Sequence, residues 1–589
     1  LFRSYTGRLL WKRDMDSLGT FGQYFDNSYK LTQLVVSTNQ VHIPGANARG
    51  ANFVAATDNL YVIQGDSCHV LDVRDGRTVN YFAVAKLDSG GAREWGYIGV
   101  TGDHLIVGLD FVPFSSANYL QMTDEERATL STKELGRLKS FGQFDYTASR
   151  TLAVMDRRTG RVKWQIDSRH GFIHNAVVVG GRYLYCLDKL PLGLEKRLQR
   201  RGAVVPSDYR LLCLDIQTGA ILWERNTDIF GSWLSYSEEY DLLLQATRPS
   251  RDMVIDEKGE RMAVYRAANG ELLWDKPILF NNPPILHHDQ IITDNAAYGL
   301  LTGDPIQRLD PITGESIPWS YSRNYGCNYA IASEHLLSFR SAAAGFYALD
   351  NDGGTGNWGG FRGGCTSNLI AANGVLNAPD YTRTCQCSYQ NQTSLAFVHM
   401  PELEYWTFND YIWNGKRVKR VGLNLNAPGD RRADDGTLWL DFPSTGGKSP
   451  DLPVQWDTTG VQKIRRHALT VKPNGWEWVA ASGLAGTLRL AVTLAGEPMP
   501  AAPYTVRLHF AELEQRKSGE RRFDVFLQKQ KVLRDFDIAA AAGGVHIPLI
   551  KTFEHIAADQ QLLIECIPSE IGGSHPPLLC GIEIIQEDL

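Results

Sequence analysis

Apolar and polar positions alternate at period two in short runs along the first two-thirds of the chain. Leu152-Ala-Val-Met-Asp156 is one run; a turn, Arg157-Arg-Thr-Gly160, follows, and Arg161-Val-Lys-Trp164 returns. Period two predicts a half-buried strand, and the turn glycine supplies the backbone freedom that a tight connection needs. Leu211-Leu-Cys-Leu-Asp215, Thr218-Gly219 and Ala220-Ile-Leu-Trp223 repeat the arrangement. The turn-plus-Trp pattern recurs at Thr6-Gly7 with Trp11 and at Asn269-Gly270 with Trp274. Thr313-Gly314 with Trp319 is a looser copy, and Asp75-Gly76 is followed by Tyr81 in place of Trp. All-strand units repeating every roughly 40–60 residues predict an all-β propeller, whose blades are stabilised by stacking on their neighbours. Each motif Trp is expected to cover the gap between two adjacent sheets.

Docking-type strand ends fall near Trp11, Tyr81, Trp164, Trp223, Trp274, Trp319, Trp358 and Trp406. They predict eight blades, or seven if the Trp11 strand closes the last blade. Inner strands are expected to begin near Ala51, Trp95, Ile173, Trp233, Pro284, Cys327 and Cys365. The insertions 110–149, 189–209, 247–261 and 380–393 fall between second and third strands, so they share the face on which the inner strands enter. Long loops gathered on one face of a rigid scaffold are where ligands usually bind.

After Trp406 the repeat stops. Tyr504-Thr-Val-Arg-Leu-His-Phe-Ala-Glu512, Arg522-Phe-Asp-Val-Phe-Leu527 and Leu578-Leu-Cys-Gly-Ile-Glu-Ile-Ile585 alternate, with the turn spacing of a β-sandwich. The chain therefore divides into 1–412 and 413–589.

The pattern Asp-x-x-Thr-Gly-x-x-x-Trp, seen at Asp156 and Asp215, resembles the docking repeat of the quinoprotein (PQQ-like) propeller superfamily, over about residues 1–410. That superfamily includes PQQ-dependent alcohol dehydrogenases, for which eight blades are usual, and cofactor-free outer-membrane assembly propellers. The dehydrogenases place two consecutive cysteines against their cofactor. Here Cys385-Gln-Cys387 stands instead, and no Cys-x-x-Cys-His haem site exists. PQQ is disfavoured as a cofactor on that ground. The closing hundred residues resemble malectin and malectin-like carbohydrate-binding domains: Tyr-x-Val-x-Leu-x-Phe-Ala-Glu, Arg-x-Phe-Asp-Val and Pro-Pro-Leu-Leu-x-Gly-Ile-Glu. This implies a jelly-roll sandwich with loop aromatics that stack on sugar rings. Trp476 and Trp478 are the candidates, while Phe510 and Phe523 are expected to pack in the core.

Composition narrows the partners. A net charge of −6 over 589 residues gives no electrostatic footprint for nucleic acid. No apolar run of about 18 residues offers a membrane span. The chain opens at Leu1 without Met or a signal peptide, which reads as a processed or trimmed product with further domains before Leu1 as an open option. Cys365, Cys385 and Cys387 cluster, as do Cys566 and Cys580, where a disulfide staple is a candidate. That usage points to an oxidising compartment, secreted or periplasmic.

The candidate chemistry lies at the insertion-bearing mouth. His174 and Asn175 open an inner strand; Asn328 and Asn368 sit beside Cys327 and Cys365 at two later ones. Cys327 and Cys365, on neighbouring blades, are candidates for a disulfide. Asp380, Tyr381 and Arg383 stand on the most unusual loop, and Arg340 ends a second strand near the same mouth. Tyr and Arg beside Asp suit proton transfer on a sugar acid, and Arg340 suits a carboxylate or sulfate. The reading is a carbohydrate-active protein that binds a polysaccharide. In its catalytic form, a lyase or hydrolase, His174, Asp380, Tyr381 and Arg383 do the chemistry. Asn175, Asn328, Arg340, Asn368, Trp476 and Trp478 hold the substrate, with calcium or another divalent cation as a candidate. A PQQ-dependent sugar or alcohol dehydrogenase and a non-catalytic scaffold are the alternatives.

Overall fold

The computed structural model describes residues 10–13, 15, 52–85, 92–113, 144–200, 202–249, 257–326, 328–361, 369–378, 395–398, 400, 404–446, 448–457, 459–571 and 573–587. Nearly all of the described secondary structure is strand. Contacts divide the chain into two compact units, 1–305 with 326–332 and 361–397, and 306–325 with 333–360 and 398–589.

The first unit is built from consecutive antiparallel meanders. Phe53–Ala55, Asn59–Gln64, Ser67–Asp72 and Thr78–Ala83 form the first four-stranded sheet. A seven-stranded sheet follows, made of two meanders that share the long strand Val162–Gly180. The first half of that strand pairs with Phe144–Asp156 and the second with Tyr183–Asp188, the latter register shifting between Phe172 and Val177. Trp233–Ser237, Leu242–Ala246, Met262–Arg266 and Leu272–Lys276 make the next four-stranded sheet, and Ile285–His287 opens the one after. The first strands Phe53–Ala55, Trp95–Thr101, Trp233–Ser237 and Ile285–His287, with Val162–Gly180 in its place in the order, each contact the next. The expected inner-strand succession is therefore present. Past Cys327 and Cys365 the strands begin a few residues later than expected, at Ile331–Ala332 and Ile370–Ala372.

The repeated turn explains how sheets dock. In the Thr159 copy, Asp156 Oδ1 accepts from the Thr159 N–H at 2.8 Å and hydroxyl at 2.9 Å, and the Gly160 N–H donates to the Asp156 carbonyl. Asp215 binds Thr218 in the same way. Trp164 lies on Gly219 and Trp223 on Gly270, the turn glycines of the next copies, whereas Trp274 lies on Gly303, ahead of the expected Gly314. Trp164 Nε1 donates to the Ile216 carbonyl, Trp223 to Ala267 and Trp274 to Leu300, at 2.8, 3.0 and 2.8 Å. A Cβ on Gly219, whose φ is +74°, would stand 2.6 Å from the Trp164 ring. Glycine is thus required twice there, for the left-handed backbone and for the indole that covers it. One expected end is corrected. Tyr81 is exposed, and its neighbour Phe82 covers Gly160: each motif Trp stands four residues after its glycine, a position that Asn80 fills here, so Tyr81 takes the opposite face and Phe82 the face of Asn80.

In the second unit, Leu336–Ser341, Ala343–Ala348, Thr355–Asn357 and Thr407–Phe408 run side by side. Beyond them a six-stranded sheet is ordered Arg431–Arg432, Leu438–Phe442, Arg420–Leu425, Gly581–Gln586, Ala502–Phe510, Leu549–Ala558. A five-stranded sheet contains Leu488–Thr493, Gln561–Pro568 and Phe523–Leu527. Both contribute to one continuous core that includes Tyr504, Val506, Leu508, Phe510 and Phe523. The charged members of the two sequence motifs meet there: Arg521 Nε donates to Glu512 Oε2 at 2.7 Å, both fully buried.

The expected Cys566–Cys580 staple is not formed. Both are free buried thiols, as are Cys68, Cys186 and Cys213. Cys566 belongs to the five-stranded sheet, whereas Cys580 precedes Gly581–Gln586 in the six-stranded one and directs Sγ to the Ala511 carbonyl. Burial pushes the Cys566 and Cys580 thiols up to about 12, so neither serves as a thiolate. Cys327, Cys365, Cys385 and Cys387 lie outside the described residues.

Candidate functional site

The described insertion of the first unit is 189–209, which leaves Tyr183–Asp188, forms the helix Leu192–Arg200 and returns to Arg210–Asp215. Its placement between a second and a third strand agrees with the sequence reading. Asp188 anchors its base: the carboxylate is fully buried and accepts from the N–H groups of Arg169, His170 and Gly171 and from the Arg210 guanidinium. Buried Lys189 bonds Glu195 at 2.9 Å and pins the helix. Ser232, just before an inner strand, donates to Glu257 at 2.5 Å, and burial raises the Glu257 carboxyl.

His174 is buried and shares a 2.8 Å hydrogen bond with Ser149 Oγ, between the rings of Tyr97 and Phe111. Gly96 and Gly108 crowd the same spot, since a Cβ on either would collide with Ser149. Asn175 follows on the strand, and Asn328 is buried in the same unit. Arg340 belongs to the second unit, where its guanidinium lies over Tyr325 at 5.5 Å. Asn368, Asp380, Tyr381 and Arg383 lie outside the described residues. Among the described residues no group of three or more His, Cys, Asp or Glu converges as for a metal ion, and no helix is long and apolar enough to cross a membrane.

Trp476 and Trp478 stand together, 5.9 Å apart, and both rings meet Trp439. They differ in access. Trp478 is buried and its ring is covered by Arg431 at 4.7 Å, with Tyr405 on the same guanidinium. Trp476 is half-buried and rests edge-on against His509. Trp439 Nε1 and His509 Nε2 are buried without a hydrogen-bond partner, and burial lowers the His509 imidazole to about 3, so it is neutral.

Sequence reasoning missed one group. Arg261 donates to Asp275 through Nε and Nη2 at 2.9 and 2.6 Å, and its guanidinium lies 4.2 Å over the Phe230 ring. The signal was present: Arg261 and Asp275 stand nine residues before and five after Gly270, as Arg210 and Glu224 do about Gly219. Arg210 and Glu224 are 3.7 Å apart.

Residues 142–359 match the family described as outer membrane protein assembly factor BamB, and residues 499–575 match the malectin domain family. A probable receptor-like protein kinase of Arabidopsis thaliana is 34% identical over 90 residues, 15% of this chain and 11% of its own. A probable leucine-rich-repeat receptor-like serine/threonine-protein kinase of the same plant is 37% identical over 81 residues, 13% and 8% of the two chains. The chain thus spans about a tenth of these relatives. Among solved structures, BamB from Moraxella catarrhalis aligns over 56% of this chain and 80% of its own, with 14% identity and a TM-score of 0.32. The ANX2 ectodomain of A. thaliana aligns over 29% and 50%, with 18% identity and a TM-score of 0.21. The chain carries a BamB-like PQQ-type repeat region followed by a malectin domain.

Proposed function

We propose that this protein binds glycans outside the cytosol, through its malectin domain and through the insertion-bearing face of its repeat region. The malectin match over 499–575, with partly exposed Trp476 beside it, is the observation that carries the reading. An indole face offers the flat apolar surface on which the C–H face of a sugar ring packs. The finer architecture belongs to the same proposal: eight blades, or seven with a clasp, over 1–412 and a jelly-roll sandwich over 413–589.

Binding without cleavage is the form that the geometry supports best. The charged groups at the base of the 189–209 insertion are already paired, and His174 is buried and bonded to Ser149. A catalytic form would need Asp380, Tyr381 and Arg383 to complete a site with His174. The test is a panel of immobilised neutral, acidic and sulfated polysaccharides, with fragment sizing of each soluble counterpart. Retention on at least one glycan, weakened by Trp476→Ala, is the expected result. Fragments lost on His174→Ala would establish the catalytic form, and retention on none of the panel would sink the proposal.

A further inference from the structure

Where the 247–261 insertion leaves and rejoins its sheet, the first unit holds a half-open cavity of about 310 Å³, lined by Phe230, Thr247, Glu260, Arg261, Asp275 and Pro277. That is near the lower end of small-molecule sites. We propose that this cavity is a second saccharide subsite, selective for a neutral hexopyranose over acidic or sulfated sugars. The inference rests on the glycan-binding reading and assigns one such site within the repeat region.

Three features give the cavity that chemistry. First, its polar groups are fixed in advance. The Arg261 fork is held by both Asp275 oxygens and rests on the Phe230 ring, so little rotamer freedom remains to be lost on binding. Thr247 is held as well, its Oγ1 accepting from the Glu260 N–H at 3.2 Å. Second, donors and acceptors stand side by side. The free lone pairs of Asp275 and the exposed Glu260 carboxylate accept from hydroxyls, while the remaining Arg261 N–H groups donate. Neighbouring sugar hydroxyls are both donors and acceptors, and bonds to charged partners are the stronger ones. Phe230 and Pro277 supply the apolar wall for ring C–H groups.

Third, the sign of the charge excludes anions. Among the described residues that line the cavity, Arg261 is the single cation, and Asp275 neutralises it; Glu260 adds a negative charge, as does exposed Asp228, which also acts on Arg261. A uronate or sulfate would enter against a net negative field, whereas a neutral ring meets no such opposition.

Saturation-transfer NMR and calorimetry on the whole chain test this, with maltose and mannobiose as neutral probes and trigalacturonate as the acidic one. Glu260→Gln alters an exposed side chain and should leave folding intact; Asp275→Asn removes the charge at nearly constant shape. The expected result is binding of a neutral disaccharide that weakens about tenfold or more in each variant, persists in Trp476→Ala, and is absent for trigalacturonate. Binding lost in Trp476→Ala but unchanged in Glu260→Gln and Asp275→Asn would overturn the subsite and leave the glycan reading standing. Tighter binding of trigalacturonate than of the neutral sugars would overturn the assigned selectivity. No binding of any probe, with no retention on the polysaccharide panel, would remove both proposals.

Discussion

The two compact units hold themselves together in different ways. Among the described residues, the first has four separate buried clusters, each confined to one or two sheets, joined by indoles that dock on the next turn. The second has one core spanning its two larger sheets, with ion pairs sealed inside it. Units stacked on their neighbours fail locally, because each sheet has its own stabilising contacts. A single core fails as a whole.

The largest test of the contrast is Arg521→Ala in the second unit. Arg521 is fully buried, donating to Glu512, to Glu514 and to the Pro576 carbonyl. Its removal leaves the Glu512 carboxylate buried without its cation, a loss of about 3–5 kcal/mol. Chemical denaturation should show the whole malectin-bearing transition moving to lower denaturant, with the repeat region unchanged.

A pH dependence of comparable size belongs to Asp430. Burial lifts its carboxyl to about 7, and the nearby Asp441 carboxylate adds to the rise against bonds from Asn409 and Ser449. The folded state therefore holds this proton more tightly than the unfolded one. Its contribution is full below the ordinary value of 3.8 and is lost as pH rises toward 7. The ceiling is roughly 4 kcal/mol. His509, lowered to about 3, acts in the opposite sense: its contribution is full above its ordinary 6.5 and is lost as pH falls toward 3. The measurement is consequently the difference in stability between the parent and Asp430→Asn across pH 4–8. Relative to the variant, the parent should lose stability as pH rises; a flat difference would show that Asp430 ionises normally.

Trp223→Ala should cost about 2–3 kcal/mol, less than a fully buried Trp because the ring is partly exposed. The indole covers Gly270 and donates to Ala267. Hydrogen exchange should speed up in Trp233–Ser237 and in Leu272–Lys276, the strand after Gly270, and stay unchanged in Phe53–Ala55.

The same contrast explains what the sequence disclosed. The turn-plus-Trp repeat was legible because one local device recurs with fixed spacing, so Trp164, Trp223 and Trp274 could be placed before any coordinates. Phe82 in the place of Tyr81 was not, because Tyr81 stands five residues after Gly76 and not four, and one residue of offset moves a side chain to the other face of a strand. The Cys566–Cys580 pairing failed for a related reason: nearness in sequence order does not say which of two sheets a strand joins. Burial of Phe510 and Phe523 followed from strict alternation. Sites were harder. His174 stood out as a titratable residue at a strand entry, yet whether it faces a ligand or Ser149 depends on Gly96 and Gly108, two strands that bring nothing chemical of their own. Arg261 and Asp275 escaped notice because an Arg and an Asp fourteen residues apart look ordinary until the turn folds them together.

The smallest effect is the most decisive for the contrast. Asp156 accepts the Arg158 and Thr159 N–H groups and the Thr159 hydroxyl, and these bonds, with the Thr159 N–H foremost, hold its carboxyl below the usual range. The turn is exposed, so Asp156→Ala should cost only about 1 kcal/mol, the net worth of such bonds in water. Thr159→Val removes the hydroxyl alone and should cost less. The carboxylate bonds require ionised Asp156, so the parent's advantage over Asp156→Ala should be present at neutral pH and fade as pH falls below the ordinary 3.8. What matters is where the loss is felt. If the repeat region is a row of separately held sheets, exchange should quicken only around Gly160 and under Phe82, the ring that docks there. If it quickens equally in Trp233–Ser237, well along the row, the sheets unfold as one, and the first unit is as cooperative as the second.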